Sequence, residues 1–125
     1  MKIFDEGLFL SHLDIEIAKS ERYSYPFSVI IVELADFKKS NVALIQSVIE
    51  TDYRATDIVS MFDKKTYVIL LNGTNEDGAK NYLKRLIRKL VADKGVSVKV
   101  GIREFVKNDT RKTIIDSLHK QINKN

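Results

Sequence analysis

The chain has 125 residues, 44% hydrophobic and 30% charged, with a net charge of +4 and no cysteine. That is room for one ordinary globular domain, and it excludes a disulfide framework, a thiolate nucleophile and a cysteine metal site. No apolar run approaches the roughly 20 residues that span a bilayer. The opening MKIFDEG lacks the regions of a secretory leader, so one cytoplasmic domain over 1–125 with no membrane partner is expected.

In chain order, Phe9, Leu13 and Ile17 recur at i, i+4 and i+8, which predicts an amphipathic helix over 8–22. Tyr25-Pro26 stops it, because a residue before proline avoids the helical region. Phe27–Leu34 follows as a nearly unbroken β-branched run, the pattern of a strand buried on both faces. Ser40 is placed to cap a helix carrying Val42, Ile45, Val48 and Ile49.

Two strands, Asp57–Phe62 and Thr66–Leu71, lie so close that Asp63-Lys64-Lys65 must be a hairpin turn. Ala79, Tyr82, Leu83, Leu86, Ile87 and Leu90 form an i, i+3, i+4 stripe on a helix over 75–91, and Lys94-Gly95 ends it. Val96, Val98, Val100 and Ile102 then alternate with Ser97, Lys99, Gly101 and Arg103, a strand with one buried and one solvated face. A last helix turns Ile115, Leu118 and Ile122 inward, and the tail Asn123-Lys124-Asn125 frays.

The order is a helix, then β-α-β-β-α-β, then a helix. The fold class is therefore α/β (α+β), a ferredoxin-like antiparallel sheet with helices on one face and an added helix at each end. His12 and His119 stand alone, without metal or catalytic spacing, and no metal or cofactor is expected.

Four stretches resemble the GGDEF (diguanylate cyclase) family in order and spacing: RYSYPFS at 22–28, VIIVELADFKK at 29–39, RATDIV at 54–59 and VSVKVGI at 96–102. The match covers most of 8–106, with one gap, and fails over the last helix. It implies the nucleotide-cyclase palm, which agrees with the element order. A cyclase joining two nucleoside triphosphates needs carboxylates for divalent metal. The resemblance puts one at Glu33. The five-residue signature falls on Asp63-Lys64-Lys65-Thr66-Tyr67, so Lys65 stands where the second metal carboxylate belongs and neither glycine is present. Asn41 stands at a guanine-contacting asparagine, but the segment bearing the second guanine contact is missing. The resemblance thus implies a degenerate domain without enzymatic activity.

The family also has a product-binding Arg-x-x-Asp five residues before its signature. Arg54-x-x-Asp57 stands at that spacing, and a further family arginine falls on Arg85. The resemblance implies a bacterial signalling domain that binds cyclic di-GMP through Arg54, Asp57 and Arg85. An arginine fork suits guanine or phosphate acceptors, and a carboxylate suits the guanine N–H edge. The plainer alternative is that Arg54 and Asp57 pair with each other at a gain of about 0–1 kcal/mol, and that the domain is a ligand-free dimerisation or docking module for a signalling partner. RNA-recognition motifs share the element order but need exposed sheet aromatics, and KTYVILL supplies one tyrosine and no glycine. No nucleic-acid partner is expected.

Overall fold

The computed structural model describes residues 1–124, so the last residue of the expected frayed tail, Asn125, lies outside the described residues. The chain runs β1 (Ile3–Phe4), α1 (Glu6–Tyr23), β2 (Phe27–Leu34), α2 (Lys39–Thr51), β3 (Ile58–Asp63), β4 (Thr66–Asn72), α3 (Glu76–Ile87), a π-helical turn (Arg88–Ala92), β5 (Val98–Glu104) and α4 (Arg111–Ile122). The strands form one five-stranded sheet in the order β1-β3-β4-β2-β5. All pairings are antiparallel except β1 with β3, whose short parallel ladder the sequence reading did not anticipate.

The run Phe27–Leu34 is central, as its composition requires. Alternate residues feed two separate cores. Ile30, Val32 and Leu34 meet Ile45 and Ile49 of α2 and Leu83 and Leu86 of α3. Val29 and Ile31 meet Phe9 and Leu13 of α1 and Ile114 and Leu118 of α4. The terminal helices therefore cover the second sheet face, which corrects the expectation of helices on one face. An open face of Val29, Ile31, Val68 and Leu70 would leave a large apolar surface in water.

Local chemistry explains most boundaries. Asp5 caps α1 by accepting from Leu8 N at 2.8 Å. Helix α2 starts one residue before the expected cap, at Lys39, and the N-cap Lys38 makes no side-chain bond; Ser40 lies inside the helix. Asn75 caps α3 by accepting from Gly78 N at 2.9 Å. Helix α3 is α-helical to Ile87, and its final turn widens to a π turn before stopping at Gly95. That glycine has φ +68°, the left-handed conformation that lets Val96 N reach back to Leu90 O at 2.8 Å.

Strand β5 is an edge strand and alternates less sharply than expected. Val98, Val100 and Ile102 are half-buried. Arg103 is not simply solvated, since its Nη2 bonds Asp109 Oδ1 at 2.6 Å. In α4 the inward residue is Ile114, with Ile115 only half-buried, because the helix docks through Gln121 onto the Ile102 backbone.

Candidate functional site

The segment Arg54-Ala55-Thr56-Asp57 is a tight loop between α2 and β3. Asp57 N donates to Arg54 O at 2.9 Å, and Arg54 N returns a bond to Asp57 Oδ2 at 3.0 Å. The Arg54 guanidinium then folds onto the same carboxylate, with Nε and Nη2 at 3.1 and 2.9 Å from Oδ1. Nη2 continues to Asn72 O at 3.3 Å and Thr74 Oγ1 at 3.1 Å, in the turn after β4. Each loop therefore fixes the other.

Burial separates the two residues. The Asp57 side chain is 1% exposed and the Arg54 side chain 53%. Both Asp57 oxygens are occupied by Arg54, so this carboxylate lies beneath the surface as a support. The sequence reading placed it facing a ligand beside Arg54 and Arg85; the structure puts it behind Arg54.

Arg85 does join Arg54. Both line an open cleft of about 360 Å³, together with Asp52, Thr74, Asn75 and Tyr82. Arg85 sits in the last turn of α3, its Nε 3.5 Å from Asp52 Oδ2 and its guanidinium carbon 5.9 Å from the Tyr82 ring centre. Lys89 shares that carboxylate at 3.2 Å. Burial, followed by the charges of Asp57 and Asp52, pushes the Tyr82 hydroxyl well above its ordinary range, so it stays neutral on the cleft wall. The approach is close at Gly78, where an added Cβ would stand 2.9 Å from Thr74 Cγ2.

Asp52, Thr74 and Tyr82 were not singled out by the sequence reading. Tyr82 belongs to the helix stripe, and it is both core and cleft wall. Thr74 carries no motif, and its place depends on a contact to a residue 20 positions away.

At the other end of β2 lies the region that the family resemblance assigns to metal. Glu33 Oε2 accepts from Thr66 Oγ1 at 3.3 Å, and Lys99 is its register partner on β5. The β3–β4 turn is Lys64-Lys65, closed by Lys65 N donating to Asp63 Oδ1 at 2.9 Å. Lys64 Nζ lies 4.6 Å from the Phe37 ring centre. Glu33 beside a hydroxyl, with a lysine as register partner and two lysines in the turn, does not supply the set of oxygen donors that a magnesium site requires in near-octahedral array. Among the described residues no group of three His, Asp or Glu is placed to hold a metal ion.

His12 packs beside Phe4, ring centroids 5.1 Å apart, and is half-buried, as is His119. Tyr67 is fully buried beneath α2, bonded by Gln46 Nε2 at 2.9 Å, and offers no exposed stacking face. Among the described residues no helix is long and apolar enough to cross a membrane.

No protein-family model and no curated protein matches the sequence. Solved structures do match in shape. A DGC protein from Thermotoga maritima superposes with a TM-score of 0.82 at 16% identity, over 96% of this chain and 95% of that one. The GGDEF domain of DgcB from Caulobacter crescentus, solved in complex with c-di-GMP, gives 0.86 at 10% identity over 96% and 81%. Diguanylate cyclase SiaD from Pseudomonas aeruginosa, solved with its activator SiaC, gives 0.83 at 16% identity over 96% of this chain. This chain spans 54% of the SiaD chain. The fold is that of the GGDEF domain, the cyclase palm expected from the sequence.

Proposed function

We propose that this chain is a catalytically inactive regulatory domain of GGDEF fold that binds cyclic di-GMP at the Arg54–Arg85 cleft. The observation that carries the reading is the convergence of two arginines, from separate elements, on one open cleft of about 360 Å³. Arg54 keeps Nη1 free of hydrogen-bond partners among the described residues, and Arg85 makes no hydrogen bond among them, its Nε lying 3.5 Å from Asp52 Oδ2. Those remaining N–H groups suit phosphate oxygens or guanine O6 and N7, each a charge-assisted contact. The role of Asp57 in this reading is positional: it holds the Arg54 fork at a fixed angle.

Inactivity is supported by the hairpin. Lys64 and Lys65 make its turn, and Glu33 stands beside Thr66 with Lys99 as its register partner. Incubated with GTP and magnesium or manganese, the protein should form no cyclic di-GMP above a no-protein control. Turnover that disappears in Glu33→Ala would contradict this.

A second reading, a ligand-free interaction module for a copy of itself or a partner protein, is favoured by one observation. Arg54 already spends Nε and Nη2 on Asp57, Asn72 and Thr74. Thermal unfolding separates the two. Cyclic di-GMP should raise the melting temperature of the native chain and leave an Arg54→Ala/Arg85→Ala variant unmoved. An equal shift in both, or none in either, removes the receptor reading.

A further inference from the structure

Strand β5 ends the sheet, with β2 on one side and no strand on the other. Ala35 N donates to Ser97 O and Phe105 N to Phe27 O, each at 3.0 Å, so the odd-numbered residues of β5 bond toward β2. The backbone N–H and C=O groups of Val98, Val100, Ile102 and Glu104 therefore point away from the sheet. At Ile102 one side-chain amide takes both: Gln121 Oε1 accepts from Ile102 N at 2.9 Å, and Gln121 Nε2 donates to Ile102 O at 2.8 Å. That amide stands in for the acceptor and donor that one residue of a neighbouring antiparallel strand would present. Around it an open cleft of about 460 Å³ follows the edge, between Glu76 of α3 and Ser117 of α4.

The edge carries two charges in a fixed order. Lys99 is exposed and makes no ion pair among the described residues. Glu104 accepts from the Glu76 N–H through Oε1 and likewise has no cationic partner among them. Between the two, Val100 and Ile102 lie half-buried against the core beneath α2 and α3. Lys99 and Glu104 stand on opposite faces of the strand, because side chains alternate. Cross-strand partners share a face, so no antiparallel register of β5 against its own image sets Lys99 opposite Glu104. Within β5 a second copy leaves both charges unmatched.

We propose that the β5 edge accepts an extended segment of a partner protein, which adds as an antiparallel strand and displaces the Gln121 amide. Read from its N-terminal end, that segment carries a base opposite Glu104, an apolar residue opposite Ile102, a small one opposite Gly101, an apolar one opposite Val100 and an acid opposite Lys99. The small residue is required because α4 crosses at Gly101, where even an added Cβ would stand 3.0 Å from Gln121 Cβ. Main-chain bonds supply the affinity, and the two charges fix direction and register. The proposal holds whether or not the arginine cleft takes a ligand.

Two capped peptides of one composition test it on the full chain: lysine-serine-valine-serine-valine-glutamate, and the same order with the lysine and glutamate exchanged. Amide chemical shifts are followed by NMR during each titration. The first peptide should shift the outward Val98, Val100 and Glu104 amides saturably, more than the inward Lys99 and Arg103 amides. It should bind about three- to thirtyfold tighter than the exchanged peptide. Lys99→Glu, at an exposed position away from α4, should bring the two peptides to equal affinity. Gln121→Ala should tighten the first peptide about three- to tenfold by removing the competing amide. No saturable shift of the outward amides, equal binding of both peptides to the native chain, an unchanged preference in Lys99→Glu, or a folded Gln121→Ala chain that binds no tighter would overturn the proposal. Outward-amide shifts that grow with protein concentration alone would seat a second copy on the edge and overturn it as well.

Discussion

The nitrogens of the Arg54 guanidinium divide into a committed and an open set. Nε and Nη2 are held by Asp57, Asn72 and Thr74, and Nη1 is left for the cleft. This division predicts different consequences for the two residues of the motif. Arg54→Ala should cost about 1.5–3 kcal/mol in cyclic di-GMP affinity, roughly ten- to a hundredfold. Asp57→Asn should lower affinity and also folding stability by about 1–3 kcal/mol, because a buried amide turns N–H groups toward the Arg54 donors. Urea unfolding beside the binding titration checks this. Weaker binding at unchanged stability would mean that Asp57 touches the ligand directly.

Asp109 offers a second test at this scale. Burial opposes its ionisation, but the Arg103 fork, the Val106 N–H and the Thr113 hydroxyl outweigh it and hold the carboxyl below its ordinary range. A depressed folded value stabilises the fold above the unfolded value, about 3.9, and that contribution is lost as pH falls through the folded value. The stability gap between the native chain and Asp109→Asn should therefore be constant near neutrality and close below about pH 4. A gap that does not change with pH would contradict this assignment.

The elements show what a sequence discloses and what it conceals. Phe27–Leu34 and the stripe from Ala79 to Leu90 were legible because burial on two faces, or on one, leaves a direct imprint on residue type. The start of α2 was not, since Lys38 occupies the cap position without any capping bond and only packing fixes the boundary. Both arginines of the cleft were singled out by the family resemblance. The burial of Asp57 was not, because it depends on the turn after β4 folding back over the Arg54 loop.

Docking of α4 on β5 is a further contact hidden from local pattern. Gln121 brackets Ile102, with Nε2 2.8 Å from its carbonyl and Oε1 2.9 Å from its N–H. At neighbouring Gly101 an added Cβ would stand 3.0 Å from Gln121 Cβ and 3.1 Å from Ile31 Cγ2. Gly101→Val should therefore destabilise the fold by about 1–3 kcal/mol and speed amide hydrogen exchange in α4 before the rest. Exchange that rises uniformly, or not at all, would contradict such a role for the glycine.

At the scale of the whole molecule, one five-stranded sheet separates two cores, and the two candidate regions lie at opposite ends of β2. The β2 end bearing Glu33 lies beside the Lys64-Lys65 turn, where the family resemblance expects acids. The opposite end carries the Arg54–Arg85 cleft. The central claim is that this second end has kept a ligand site while the first has lost its chemistry. Isothermal titration of the native chain with cyclic di-GMP tests it most directly. The account predicts saturable heat, binding tighter than GTP, and a loss of roughly ten- to a hundredfold in Arg54→Ala. No heat at high ligand concentration, or heat unchanged by that substitution, would contradict it.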